Sequence, residues 1–442
     1  MGSDFKVIVV GGGPVGLAAA HALHLAGIEF IILERRAAIV EDKGASIVVH
    51  PHTLRIMSQF GLLDALQAVG GELRHHRSFT VDGHIFKEGT RYQRMKEGHG
   101  HGPVVFHRAE LVEIMYNGLP PAAREKILTS KKLVDIETND SGVVVKCDDG
   151  STYPGSMVMG ADGVHSTTRR LMRDIALKEN PSRTWDPVNP YTATYQLLFG
   201  AFPLPSDSGL GYDIQARDKC IMYLSGPKRG WIFLYKRLPQ PTSERTVYTD
   251  EDVETLAAEF AEFPLTQSVK VKDVWETRHG AGLTNLEEGI VNHWSLGRIV
   301  LVGDACHKFT THVGLGLNNG IQDIVALCNI LRGANPTTAE KSLNYSSLRK
   351  VFEAYETLRK SSSSSLHADL LNSGLETRMH AWANPAYYLI SRWLMIPNFA
   401  EDLLMKFGIL PQFRKGLVLD YVPGEEPMRG QLSWLHPMSM KA

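Results

Sequence analysis

The chain opens on a short apolar run, KVIVV (Lys6 to Val10). The turn GGGPVG interrupts it, and LAAAHALHLAG follows as a small-residue helix pattern ending at Gly27. A second apolar run, EFIILE, comes next. Runs this short and this uniformly apolar predict strands buried on both faces, so the opening reads as a βαβ unit of a mostly parallel sheet. Between Arg183 and Glu276 the pattern changes to alternating and aromatic runs (YTATYQLLFG, KCIMYLSG, WIFLYKRL, VKVKDVWE) broken by Pro and Gly. That pattern predicts an antiparallel sheet. RIVLV then returns to the parallel type, GIQDIVALCNILRG has helical period, and from Lys341 onward the pattern is mainly helical. The serine run Ser361 to Ser365 lies between two helix-period stretches, VFEAYETLRK and LHADLL. It is read as the polar part of one continuing helix rather than a linker.

A length of 442 residues exceeds one ordinary core and implies two or three closely packed domains. With 43% hydrophobic and 21% charged residues and a formal net charge of -1, the chain is globular. Nucleic-acid binding driven by net charge is excluded. Cys147, Cys220, Cys306 and Cys328 show neither CxxC pairing nor metal-ligand spacing and read as reduced thiols of a soluble cytoplasmic protein. The N-terminus lacks the basic region of a signal peptide, and no stretch reaches the ~18 apolar residues of a membrane span. Tyr387 to Leu410 comes closest, but Arg392, Pro397, Glu401, Asp402 and Lys406 interrupt it. A packed helical pair is expected there rather than an interfacial membrane helix, so membrane association is not expected, with peripheral contact left open as the alternative.

Three stretches carry candidate chemistry. In the first, Gly11, Gly13 and Gly16 form GxGxxG between a strand and a helix. The first glycine makes the turn, the second admits a pyrophosphate, and the third lets helix and strand pack. Glu34, at the end of the second strand, stands where a ribose-binding carboxylate belongs. Arg35 and Arg36 beside it leave a nicotinamide phosphate open as the ligand. In the second stretch, MVMGADGVHSTTRRLM, Asp162 lies in an Asp-Gly turn and Ser166 is placed to cap the following helix. In the third, GDACHKFTTHVGLGLNNG, Asp304 closes a strand, and Gly314, Gly316 and Asn318 lead into a helix. A bare backbone at a helix N-terminus suits an anionic or electron-rich ligand edge.

Other readings of these residues are weaker. Cys306 and His307 are neighbours at a strand end, where side chains diverge, and no third group orients a base. Asp304, His307 and His312 do not supply the convergent set a metal needs, so no metal is expected. His307 is read as a packing or hydrogen-bonding residue, and His75, His76, His99 and His101 as solvated loop histidines. Lys43 and Arg55 are candidates for phosphate contacts, with charged surface as the default. Trp231, Phe233 and Tyr235 alternate along one strand, so either one face lines a substrate cavity or all three are core.

Taken together, the three stretches resemble the class A flavoprotein monooxygenases, the family of para-hydroxybenzoate hydroxylase. The resemblance spans nearly the whole chain. It implies FAD as cofactor, with Gly11, Gly13, Gly16, Glu34 and Arg35 at the adenosine end and Val48 and Arg108 in contact with it. Asp162 would serve both FAD and the nicotinamide donor. Gly303, Asp304, Gly314, Gly316, Leu317 and Asn318 would lie along the ribityl chain and ring. The implied fold is α/β: a Rossmann-like FAD-binding domain (1–182 and 277–340), an inserted antiparallel substrate-binding sheet (183–276) and a C-terminal helical region (341–442). GLGLNNGIQD, WIFLYK and LDYVPGEEPMRGQLSWLHP resemble the fungal subgroup that oxidises indole alkaloids and meroterpenoids.

The implied reaction consumes NADPH and O2 and proceeds through a flavin C4a-hydroperoxide. It would epoxidise or hydroxylate an indole C2=C3 bond or a prenyl alkene, with a later rearrangement open. Two departures from the family stand out. Thr311, beside His312, replaces a usual proline. Gln196 occupies about the place of an arginine used by phenol hydroxylases, which favours a neutral prenylated indole or terpenoid over a phenol. Trp231 and Phe233 are further substrate candidates, and Tyr212 falls near a tyrosine implicated in some relatives. Phenol hydroxylation is the nearer rival. A flavin halogenase lacks its WxWxIP signature here, and a non-catalytic binding protein would not need Arg108, Asp162 and Asp304.

Overall fold

A computed structural model describes residues 5–42, 45–334, 343–361, 366–395 and 397–439. Lys43 lies outside these. Among the described residues the architecture is mixed α/β, built on two large sheets. The first has six strands in the order 295–296, 299–301, 157–160, 6–10, 29–33, 127–128. It is parallel except at the edge, where Ser295–Leu296 runs against Ile299. Val7, Ile8 and Val9 are fully buried, as an apolar run covered on both faces requires. The helix Pro14–Leu25 packs its alanines against this sheet and against the helix Leu315–Ala334.

The second sheet has eight strands in the order 307–308, 280–290, 192–203, 229–242, 219–225, 210–216, 75–80, 85–89. Its centre is antiparallel, as the alternation predicts. It draws on both sides of the span 183–276, however. His75–Thr80 adds parallel to Leu210–Ala216, and Gly280–Ile290 pairs with Thr192–Pro203. A sheet edge pairs with whatever strand reaches it, and sequence distance does not enter.

Several side chains expected at the surface are buried. Arg55 is fully buried, with two hydrogen bonds to Glu426 (2.8 and 2.6 Å), so it clamps the C-terminal tail onto the helix Pro51–Gln59. His76 lies on a strand and meets Asp213 at 2.8 Å, and His99 is buried against the Trp434 ring. His75 is exposed and His101 half-buried. The helix Tyr345–Lys360 stops at Ser361, whose backbone is extended, rather than continuing through the serine run. Ser362 to Ser365 lie outside the described residues.

Beyond that point the helices Leu366–His380, Pro385–Leu389 and Asn398–Leu404 follow, with single π-helical turns over Ile390–Leu394 and Met405–Ile409. Met405, Leu410 and Phe413 pack inward on Met95 and Leu315. The outer face of these helices stays bare, so the pair is packed on one side only. No described helix is long and apolar enough to cross a membrane.

Candidate active site

A cavity of about 670 Å³ lies between the two sheets. Val10, Leu33, Ala161 and Val302, at or just past the carboxyl ends of four parallel strands, line one side of it. Open α/β sheets bind ligands at this edge. Two glycines show why the first turn has its sequence. Gly11 has φ +106°, and a Cβ there would sit 2.6 Å from the Ala161 carbonyl oxygen; a Cβ on Gly16 would sit 1.9 Å from the Gly11 carbonyl oxygen. Gly13 differs: it lines the cavity, and an added Cβ would meet no protein atom within 4 Å. Gly13 is also the N-cap of the helix Pro14–Leu25 and gives it no side-chain cap. Room at the glycine and uncapped amides together form a cradle for a pyrophosphate.

Glu34 ends its strand on the same wall and accepts hydrogen bonds from the Gly12 amide (2.7 Å) and from Arg36 Nε (2.9 Å). Burial alone would raise its carboxyl, but the Arg36 and Gly12 bonds outweigh this and hold it below its usual range. Arg36 is thus the partner of Glu34, while Arg35 is exposed on the rim. Arg108 opens the helix Arg108–Asn117 and lines the cavity. Burial, and then Arg36, push its guanidinium down. A partly desolvated cation facing a cavity suits an anion.

Asp162 lines the cavity, but its carboxylate is already engaged. Ser166 Oγ donates to one oxygen (2.5 Å), and the Thr168 amide donates to the other (2.9 Å). Ser166 in turn caps the helix Thr167–Glu179 by accepting from the Arg169 amide at 2.9 Å. Asp162 therefore sets the turn, with its side chain spent on the protein. Arg169, which sequence reasoning passed over, donates to the carbonyls of Ala305 (2.9 Å) and Val164 (2.8 Å) and so ties this turn to the third motif.

In the third motif Asp304 lines the cavity and pairs with Lys308 at 2.5 Å. Gly314 (φ +63°), Gly316 and Leu317 line it as well, and Val48 faces them, close enough that a Cβ on Gly314 would come within 2.9 Å of it. Gly16, Gly303 and Asn318 stand behind the wall rather than on it. Asn318 is fully buried, accepts from the His50 amide (2.9 Å), and donates to the carbonyls of Val48 (2.9 Å) and Gly314 (2.6 Å). It fastens the two loops that meet at the cavity.

Cys306, His307 and Asp323 do converge, contrary to the expectation for sequence neighbours, with potential ligand atoms within 4.8 Å of one another. The Asp323 carboxylate is spent, however. It accepts from the Gly303 amide (2.8 Å), meets His307 (2.6 Å) and is paired with Arg359 (2.6 Å). Burial pushes the Cys306 thiol well up, away from the thiolate that a nucleophile or a metal requires. The cluster anchors the Gly303 turn.

The opposite wall is the eight-stranded sheet. Leu197, Phe199, Met222, Leu224, Phe233 and Leu286 face the cavity from it. Directly opposed residues share a face and neighbours along a strand alternate, so register settles the remaining candidates. Tyr212 opposes Tyr223, between Met222 and Leu224, and therefore points away from the cavity. It packs on Phe79 and Tyr223 in a separate core. Gln196 alternates with Leu197 and also faces away. Trp231 shares the face of Phe233 but lies beyond the rim, against His107. Tyr235 is core behind the third motif: its hydroxyl meets that of Thr311 (2.7 Å), and its ring lies 4.0 Å from His312.

Thr310 and Thr311 complete the floor. His312 is fastened to the Thr377 hydroxyl (3.0 Å) and Cys220 (3.5 Å). Burial first, and His380 next, push its pKa down to about 3, so it supports the loop as a neutral ring. The wall residues Leu197, Phe199, Met222 and Leu224 were not singled out from sequence. Their signal was the alternation itself, which does not say which face looks inward.

Comparison with known proteins agrees with this geometry. A family model described as an FAD binding domain matches residues 4–352. The FAD-dependent monooxygenase srdH of Neurospora crassa is 32% identical over 97% of this chain and 98% of its own. The FAD-dependent monooxygenase cle3 of Aspergillus versicolor is 33% identical over 93% and 85%. Among solved structures, Klebsiella pneumoniae HpxO with FAD and uric acid superimposes with a TM-score of 0.71, covering 92% of this chain and 96% of that one at 21% identity. That identity speaks for the fold alone. The cavity at the strand ends, the glycine cradle and the covering sheet fit the flavin-dependent oxygenase that these relatives indicate. The chain belongs to the FAD-dependent monooxygenases of class A.

Proposed function

We propose that the enzyme inserts one oxygen atom of O2 into an electron-rich double bond of a neutral, largely apolar secondary metabolite, with NADPH as transient reductant. An indole C2=C3 bond or a prenyl alkene fits. One observation carries this reading: the sheet wall presents Leu197, Phe199, Met222, Leu224, Phe233 and Leu286, with Thr284, Asn285 and Glu287 beside them, and among the described residues no unpaired cation that would hold a phenolate. The nearest cation on that side, Lys308, is already paired with Asp304. An apolar wall with two threonine hydroxyls at its foot orients a neutral substrate by shape and excludes water.

When bound, FAD would supply the redox and oxygen-activating chemistry, with the nicotinamide as electron source and water as the fate of the second oxygen atom. The chain's own residues hold and align. The Gly11 to Gly16 turn and the amides of the helix at Pro14 would receive the pyrophosphate, and Glu34, its carboxylate held by Gly12 and Arg36, would face the ribose. Arg108, on the cavity wall, would face the anionic part of the cofactor. Asp304 and the backbone from Gly314 to Leu317, which line the cavity, would meet the ribityl chain and ring edge. In place of a rigid proline, Thr311 offers a hydroxyl already oriented by Tyr235.

The test is anaerobic reduction of the bound flavin by NADPH, with and without prenylated indoles, prenyl alkenes and simple phenols. Stimulation by an indole or alkene, followed by an oxygenated product on admitting air, is the expected result. Product formation from phenols alone would overturn the substrate class, and equal rates with NADH would overturn the donor.

A further inference from the structure

The helices from Leu366 to Ile409 present an apolar outer face that no other described residue covers. Leu389, Trp393, Leu394, Phe399, Leu403 and Phe407 are each more than half exposed, from 53% at Leu389 to 73% at Phe399. Leu371, on the preceding helix, is 71% exposed. Single exposed apolar residues are ordinary, but a cluster of this size on consecutive elements marks a contact surface.

The charges at this face have one sign. Arg392 lies against the rings of Phe86 and Trp393 (4.7 and 5.0 Å), and Lys406 lies against Phe407 (5.4 Å). The acidic groups of the same helices are buried or paired. Glu376 meets Arg91, Glu401 meets Lys87 and Arg91, and Asp402 meets Arg94. Asp369 is buried against Asn319. What faces out is leucine, tryptophan and phenylalanine with flanking cations.

We propose that this face lies in the interfacial plane of a bilayer carrying anionic lipid, so that the enzyme is a peripheral membrane protein. Aromatic and leucine side chains enter the boundary between headgroups and acyl chains, while Arg392 and Lys406 reach the phosphates. A second copy fits less well. A two-fold contact sets the same patch against itself and would bring Arg392 and Lys406 toward their own images with no acidic partner between. The inward side of the same helices packs Met405, Leu410 and Phe413 on Leu315, next to the cavity residues Gly314 and Gly316. Docking therefore places the cavity floor one helix layer from the lipid, where an apolar substrate partitions.

The flavin-loaded full chain should cosediment with phosphatidylcholine vesicles containing phosphatidylserine, and more weakly with phosphatidylcholine alone. Trp393→Ser, Phe399→Ser, Leu403→Ser and Phe407→Ser combined should abolish cosedimentation. Flavin absorbance and melting temperature should stay unchanged, which separates loss of binding from loss of fold. Arg392→Gln with Lys406→Gln should remove only the preference for phosphatidylserine, by about fivefold per cation. Absence of wild-type binding to either vesicle overturns the proposal, as does binding that survives the fourfold variant. A solution dimer that the fourfold variant dissolves, without vesicle binding, assigns the face to a second copy instead.

Discussion

The two walls of the cavity are built on different principles. The flavin-side wall is backbone: a glycine turn, two helix N-termini and loops fastened from behind by Asn318 and Asp323. The substrate-side wall is side chain: six apolar residues of a sheet, with Thr284, Asn285, Glu287 and Lys308 beside them. A backbone wall tolerates almost no change, because its shape depends on the absence of atoms. A side-chain wall can be re-cut by single substitutions without disturbing the strands beneath it. One architecture thus fixes the cofactor and leaves the substrate free to vary.

The largest effect expected from this contrast is at Gly16. Gly16→Ala places a methyl 1.9 Å from the Gly11 carbonyl oxygen, against backbone that cannot move aside. No folded, flavin-bearing protein is expected, with a cost above the ~3 kcal/mol usual for overpacking. Gly13→Ala sharpens the point. It meets no protein atom, so the chain should fold with unchanged secondary structure and lose FAD affinity by at least about tenfold. Circular dichroism and flavin titration distinguish the two, and a Gly13→Ala protein that binds FAD normally would move the pyrophosphate elsewhere.

Next in size is Asp323→Asn. It leaves His307 and Arg359 buried around a neutral amide, and unpairing a buried charge costs about 3–5 kcal/mol. Thermal unfolding should show that loss in the apoprotein as well as the holoprotein, because the carboxylate supports the Gly303 turn without lining the cavity. A loss confined to the holoprotein would make Asp323 a cofactor ligand.

The same contrast governs what could be read in advance. The GxGxxG turn, Glu34 and the glycine-rich third motif were legible because a backbone site is written in one contiguous stretch, in which Gly11, Gly16 and Gly314 answer to local clashes and Gly13 leaves room. Leu197, Phe199, Met222 and Leu224 were not, because strand alternation gives two faces and only the register with distant strands says which one looks at the flavin wall. His76, His99 and Arg55 were misplaced for a related reason. Their partners Asp213, Trp434 and Glu426 are 137, 335 and 371 residues away, beyond the reach of any local pattern. The serine run misled in the opposite sense, since local helical period on both sides did not prevent a break at Ser361.

On the substrate wall, Leu197→Ala should leave flavin content intact and raise KM for the true substrate by about tenfold, the scale expected when a few methylenes leave an apolar pocket. NADPH oxidation without product should rise in parallel, because a looser wall admits water. Equal losses of flavin and of substrate affinity would mean the two walls are not separable.

The smallest effect is expected at Tyr212, and it tests the register on which the substrate wall rests. Tyr212 opposes Tyr223 and packs on Phe79 behind the sheet, so its ring fills a core and its hydroxyl has no path to the cavity. Tyr212→Phe keeps the ring and removes only the oxygen. Turnover, coupling and KM should all stay within about twofold of the parent, since the deleted hydroxyl does not line the cavity. Met222→Ala, one residue from the opposed Tyr223 but on the other face, should change KM clearly while leaving flavin content alone. A large loss of turnover from Tyr212→Phe with a silent Met222→Ala would require the strand to sit one residue out of register. Every side chain of the wall would then exchange faces.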